Sequence, residues 1–113
     1  LKAGARSENA SNQIKLGKYI LDADHAILKD TQDGKQKMLT AREAKILELL
    51  AVNKNEVVRR EAVLSRFWGV EDKDYFASRS LDVFIKKIRT ALEDEPGVEL
   101  KTIRGVGFKL IAE

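Results

Sequence analysis

The chain contains no cysteine and one histidine, so disulfide frameworks and thiolate metal sites are excluded. With a single histidine, any metal chemistry would have to rest on carboxylates, and His25 itself sits in a predicted turn between two strands. Nothing approaches the ~20 consecutive apolar residues of a membrane helix, and the N-terminus lacks the apolar core of a signal peptide. A reducing cytoplasm is the compartment these absences suggest. Proline is nearly missing too. The single one, Pro96, stands beside Gly97 as a helix stop.

An enzyme is poorly supported. Without cysteine, and with carboxylates scattered over helix surfaces, no nucleophile is paired with a base. Gly105 and Gly107 lack the third glycine and the following helix of a dinucleotide site. No cofactor is implied.

What is present is a single-domain length of 113 residues with 21 basic and 18 acidic side chains, a net charge of only +3. The clustering of the charges therefore says more than their sum. Residues 1–13, small and polar without periodicity, read as a linker, and residues 14–113 as the domain. Asn9, Ala10 and Ser11 match a glycosylation acceptor that a cytosolic chain never presents to the modifying enzyme.

Between Ile14 and Met38 four short β-prone runs are broken by turn residues, including Asp33-Gly34, which predicts a four-stranded antiparallel meander. Thr40 and Glu43 have the spacing of a capping box, opening a helix whose apolar face is Ala44, Leu47, Leu50 and Ala51. It should end near Asn53 to Asn55. Glu56 to Val58 suits one strand rung, and a second helix should run from Arg60 to Trp68, stopped by Gly69. Arg59 is a poor cap for it.

After a loop from Gly69 to Ser78, a third helix is predicted over 78–92, with Ser78 as its cap. Leu81, Ile85, Ile88 and Leu92 recur at helical spacing as a buried face. Arg79, Val83, Lys86 and Thr90 repeat that spacing on the other side, with Lys87 and Arg89 flanking and Asp82 the only acid. Charged faces of surface helices are usually only solvated. Here the face is nearly single-signed, and a basic hairpin over 98–111 follows, with Lys101, Arg104 and Lys109. Such a helix suits insertion into a DNA major groove. Gly105 and Gly107 should let the hairpin tip adopt positive φ and approach the sugar-phosphate closely. The order of elements gives an α+β fold: a winged helix-turn-helix with an N-terminal four-stranded antiparallel sheet, three helices and a C-terminal β-hairpin wing.

Three segments, LTAREAKILELLAVNKNEVVRREAVLSRFWG, RSLDVFIKKIRTAL and TIRGVGFKL, resemble the C-terminal DNA-binding domains of OmpR/PhoB-type bacterial response regulators. The likeness spans Ile14 to Ile111. It implies the effector domain of a phosphorylation-controlled transcription factor in a two-component system, with residues 1–13 as the linker from a receiver domain that a histidine kinase phosphorylates. It also implies binding to tandem direct repeats of double-stranded DNA, and contact with RNA polymerase through the 69–77 loop, whose charged residues are Glu71, Asp72, Lys73 and Asp74. Carried over by position, Arg79, Val83, Phe84, Lys86, Lys87 and Arg89 of the helix and Thr102 and Arg104 of the wing touch DNA. Arg60 and Trp68 match phosphate-contacting positions. Phe84 replaces a commonly polar or imidazole residue; a phenyl ring can pack on thymine methyls but reads no hydrogen-bond pattern. Lys86 and Lys87 stand where arginine is frequent, and without its planar fork they should contribute mainly phosphate affinity. Arg59 occupies the serine position before the Arg60 match. The competing reading is a winged-helix protein-interaction module with little DNA affinity of its own.

Overall fold

The computed structural model describes residues 13–69 and 74–112. The expected linker, apart from Gln13, and the loop residues Glu71, Asp72 and Lys73 lie outside them.

The four predicted runs form β1 (Gln13–Leu16), β2 (Tyr19–Asp22), β3 (Ile27–Asp30) and β4 (Gln36–Met38), joined in that order as an antiparallel sheet. Pairing starts at Gln13, opposite Asp22, one residue before the expected edge. Leu16, Tyr19, Leu21 and Leu28 are fully buried, so the alternation of the strands turns one sheet face onto the core.

Helix α1 (Ala41–Val52) starts at the capping box. The Glu43 amide donates to Thr40 Oγ1 at 3.1 Å, and the Thr40 amide to Glu43 Oε1 at 2.8 Å. Ala44, Ile46, Leu47, Leu50 and Ala51 are buried. Strand β5 (Val57–Arg59) leads directly into α2 (Arg60–Trp68), and Arg59 gives its helix no side-chain cap. Gly69, left-handed at φ 67°, ends α2 by donating to the carbonyls of Leu64 and Ser65.

Helix α3 departs from expectation. It spans Tyr75–Leu92, and its cap is Asp74, which accepts from the Ala77 amide at 2.9 Å. Ser78 lies inside the helix. The physical reason is Ala77: one turn before Leu81 and itself buried, it extends the apolar stripe upstream. Residues 75–77 are thus helix rather than loop.

The wing is also more than a hairpin. Strands β6 (Glu99–Ile103) and β7 (Gly107–Ile111) pair with each other, and β7 pairs with β5 on its other edge, giving the order β5-β7-β6. Only Gly105, at φ 75°, supplies the expected positive φ. Gly107 serves a close approach within the fold: a Cβ there would overlap the Val58 carbonyl oxygen and crowd Arg59 Cα and the Arg60 nitrogen.

One continuous core joins the two sheets and three helices, drawing Leu21 and Leu28 from the meander, Ile46 and Leu50 from α1, Leu64 from α2, Leu81 and Ile88 from α3, and Phe108 and Leu110 from β7.

The acidic end of α3 does more than stop the helix. Asp94 accepts from the Tyr19 hydroxyl at 2.5 Å, from Lys37 Nζ at 3.3 Å and from Lys18 Nζ at 3.4 Å. Glu95 accepts from the Lys18 amide at 2.5 Å, and Lys37 Nζ also donates to the Ala91 carbonyl at 2.7 Å. The Tyr19 hydrogen bond, followed by Lys37, holds the Asp94 carboxyl well below the usual carboxylate range. The amides of Gly97 and Lys18 lower Glu95 as well. A carboxyl depressed on folding stabilises the fold fully above its unfolded pKa, which is about 4, and loses that contribution as pH falls through and below this value. Urea unfolding should therefore show a midpoint that falls between pH 5 and pH 3. The Tyr19→Phe variant should show a shallower fall. Parallel pH profiles for the two proteins would contradict the assigned role of Tyr19.

Candidate nucleic-acid interface

The site is built on α3 and the wing. With Ala77, Leu81, Ile85, Ile88 and Leu92 buried, the opposite side of α3 exposes Arg79, Val83, Lys86, Lys87 and Thr90. Neither Lys86 nor Lys87 pairs with an acid among the described residues. Arg104 is exposed at the wing tip beside Gly105. On the strands below it, the register sets Lys101 directly across from Lys109. Like charges in opposed positions repel, and a nearby anion relieves them.

Other predicted contact residues are engaged within the fold. Arg60 does not present a free guanidinium. Its Nη2 donates to Ser78 Oγ at 2.6 Å and to the Ser78 carbonyl at 2.8 Å, and it forms an ion pair with Asp82 at 2.9 Å. The same guanidinium lies 5.8 Å from the Phe108 ring centroid. In this fold the Arg60 side chain forms a clamp that fixes α2 to α3, because Ser78 and Asp82 sit one turn apart on the face toward Arg60.

Arg89 and Thr102 also bind each other. Arg89 donates from Nε to the Leu100 carbonyl at 3.0 Å and from Nη2 to Thr102 Oγ1 at 2.9 Å. Both side chains remain exposed, so this bridge lies at the surface where helix and wing meet.

Phe84 is half-buried against the core, its ring edge-on to Trp68 at 5.8 Å and 65°. Trp68 is itself covered by the Arg42 guanidinium at 4.6 Å. The phenyl ring at 84 therefore packs α3 onto α2 and offers little free face. Arg79 lies 5.5 Å from the Tyr75 ring and donates to its hydroxyl at 3.2 Å. Asp74, expected at the tip of a docking loop, is the α3 cap.

Sequence reading missed Tyr75, Phe76 and Ser80 as members of this surface. The signal was available in Asp74 as a second candidate cap and in Ala77 one turn before Leu81. His25 lies in the turn expected for it, 2.9 Å from Asp22 and exposed.

Two antiparallel sheets around three helices, with a solvent-facing basic helix beside a β-hairpin, define a winged helix-turn-helix protein. Residues 34–110 match the family described as transcriptional regulatory protein, C terminal, and the chain belongs to that family, whose members are regulators of transcription rather than enzymes. It is 38% identical over 106 residues to the transcriptional regulatory protein RprY of Bacteroides fragilis, covering 94% of this chain and 43% of that one. The response regulator DrrB of Thermotoga maritima, an OmpR/PhoB homologue, superposes with a TM-score of 0.70 at 34% identity, covering 89% of this chain and 45% of DrrB. The RstA DNA-binding domain of Klebsiella pneumoniae, solved in complex with the RstA box, gives a TM-score of 0.71 at 25% identity over 88% of this chain and 96% of that domain. The chain spans about half the length of the curated relatives it matches. Among the described residues, no helix is long and apolar enough to cross a membrane.

Proposed function

We propose that this chain binds double-stranded DNA sequence-specifically as the effector part of a longer, phosphorylation-controlled transcription regulator of the cytoplasm. Helix α3 enters the major groove and the β6–β7 wing lies at the minor groove. The observation that carries this reading is the outward face of α3, where Lys86 and Lys87 have no acidic partner among the described residues and are joined through the Arg89–Thr102 bridge to the basic wing. The RstA domain, similar in fold and bound to its own box, supports it.

Lys86, Lys87 and Arg104 supply charge to the backbone and minor groove, while Arg79 and Val83 face the bases. Arg89, Thr102, Arg60 and Trp68 hold the reading surface in place, with the first two close enough to its edge to meet phosphate. A receiver preceding residue 13, phosphorylated by a histidine kinase, raises the effective concentration of a second domain on a tandem direct repeat. RNA polymerase is met through the segment between Gly69 and the start of α3.

Selection of bound sites from random duplexes tests the reading and gives the half-site and its spacing. On the selected site, Arg104→Ala should lower affinity and reduce the slope of log K against log salt by about 0.9, the loss of one phosphate contact. Equal binding by the parent, Arg104→Ala and Lys86→Ala would overturn the groove assignment. Affinity confined to the nonspecific range of ~10⁻⁴ to 10⁻⁶ M would favour protein docking instead.

A further inference from the structure

The extra N-terminal turn of α3 carries the most exposed large apolar side chains of the helix. Phe76 is 81% and Tyr75 64% exposed, and Val83, two turns on, is 53% exposed. Phe76, Ser80, Val83 and Lys87 follow the i, i+4, i+7, i+11 progression of one helix face. With Arg79 and the edge of Phe84 they line a single shallow depression. The floor is apolar, the rim cationic, and no acid among the described residues lines it.

An isolated exposed apolar residue needs no explanation, but a strip of them continuous with a basic helix face does. A protein partner matching this depression would have to present anionic groups on both sides of an apolar knob. The DNA major groove already has that arrangement: the thymine C5 methyl is its one apolar feature, flanked by phosphates. Phe76 and Val83 are separated by about 10 Å along the helix axis, roughly three base steps.

We infer that Phe76, together with Val83, reads thymine methyl groups, so that the half-site of this chain contains thymines beneath the N-terminal turn of α3. The inference rests on the DNA-binding reading and assigns to Phe76 the thymine contact that sequence alone placed on Phe84. Phe84 is turned against Trp68, whereas Phe76 has its ring in solvent.

Deoxyuridine is the direct probe, because it lacks the C5 methyl and keeps the Watson–Crick edge of thymine. On the selected duplex, each thymine is replaced singly and binding is measured for the parent chain, Phe76→Ala and Val83→Ala. The parent should lose about fourfold in affinity at one or two positions, the effect of removing one buried methyl. Phe76→Ala should bind the thymine site more weakly and show no further loss with deoxyuridine at one of those positions. Its unfolding midpoint should match that of the parent, since the ring is exposed. Uniform insensitivity of the parent to deoxyuridine, or full sensitivity retained by Phe76→Ala, overturns the inference while leaving DNA binding intact. Failure of the parent to bind any duplex beyond the nonspecific range overturns the DNA-binding reading and this inference together.

Discussion

Replacing Lys86 and Lys87 together by glutamate should lower affinity for the selected duplex by about 10²-fold or more, because two favourable phosphate interactions become like-charge contacts, each costing on the order of a kcal/mol or more. The salt dependence should flatten by about 1.8 in slope, two contacts at about 0.9 each. Both side chains are exposed on the face opposite the buried stripe, and neither has an acidic partner among the described residues. Folding stability should accordingly stay within about 0.5 kcal/mol of the parent. Titration at several salt concentrations beside urea unfolding separates the two effects. A double variant that is stable and still binds with the parental slope would remove α3 from the interface.

The largest stability effect should come from Gly107→Ala. The added methyl group meets backbone rather than flexible side chain, at the Val58 carbonyl, Arg59 Cα and the Arg60 nitrogen, so β5 and β7 must separate where they pair Arg59 with Gly107. Overpacking of this kind costs about 1–3 kcal/mol. Gly105→Ala is the matched control. Its φ is 75°, which an L-residue adopts at a cost of about 1 kcal/mol, but nothing lies within 4 Å of the new methyl group. Denaturant unfolding should therefore rank Gly107→Ala below Gly105→Ala. The reverse order would mean that the β5–β7 contact yields easily and that the turn conformation dominates.

Features encoded by neighbouring residues were legible from sequence. The Thr40–Glu43 capping box, the Gly69 stop and the turn-separated runs of the meander each require only local geometry, and each falls where expected. The start of α3 was not, because Asp74 and Ser78 are both competent caps and the choice depends on burying Ala77 in a core assembled from distant elements. The pairing of β5 with β7 joins strands far apart in sequence, and three residues carry no register signal of their own. Site residues followed the same division. Which side of α3 faces solvent was readable from its period. That Arg60 would be held by Ser78 and Asp82, and Arg89 by Leu100 and Thr102, depends on how helices and wing meet in space.

The two clamps on α3 act at opposite ends. Arg60 grips its first turns through Ser78 and Asp82, and Tyr19, Lys18 and Lys37 grip the residues just past its last turn. A helix held this way behaves as a beam supported at both ends, with its tilt and axial rotation set before any duplex arrives. The loss of orientational freedom then falls on folding rather than on association, and more of the contact free energy survives as affinity. Loosening either support should appear first as slower, less discriminating recognition in a chain that still folds.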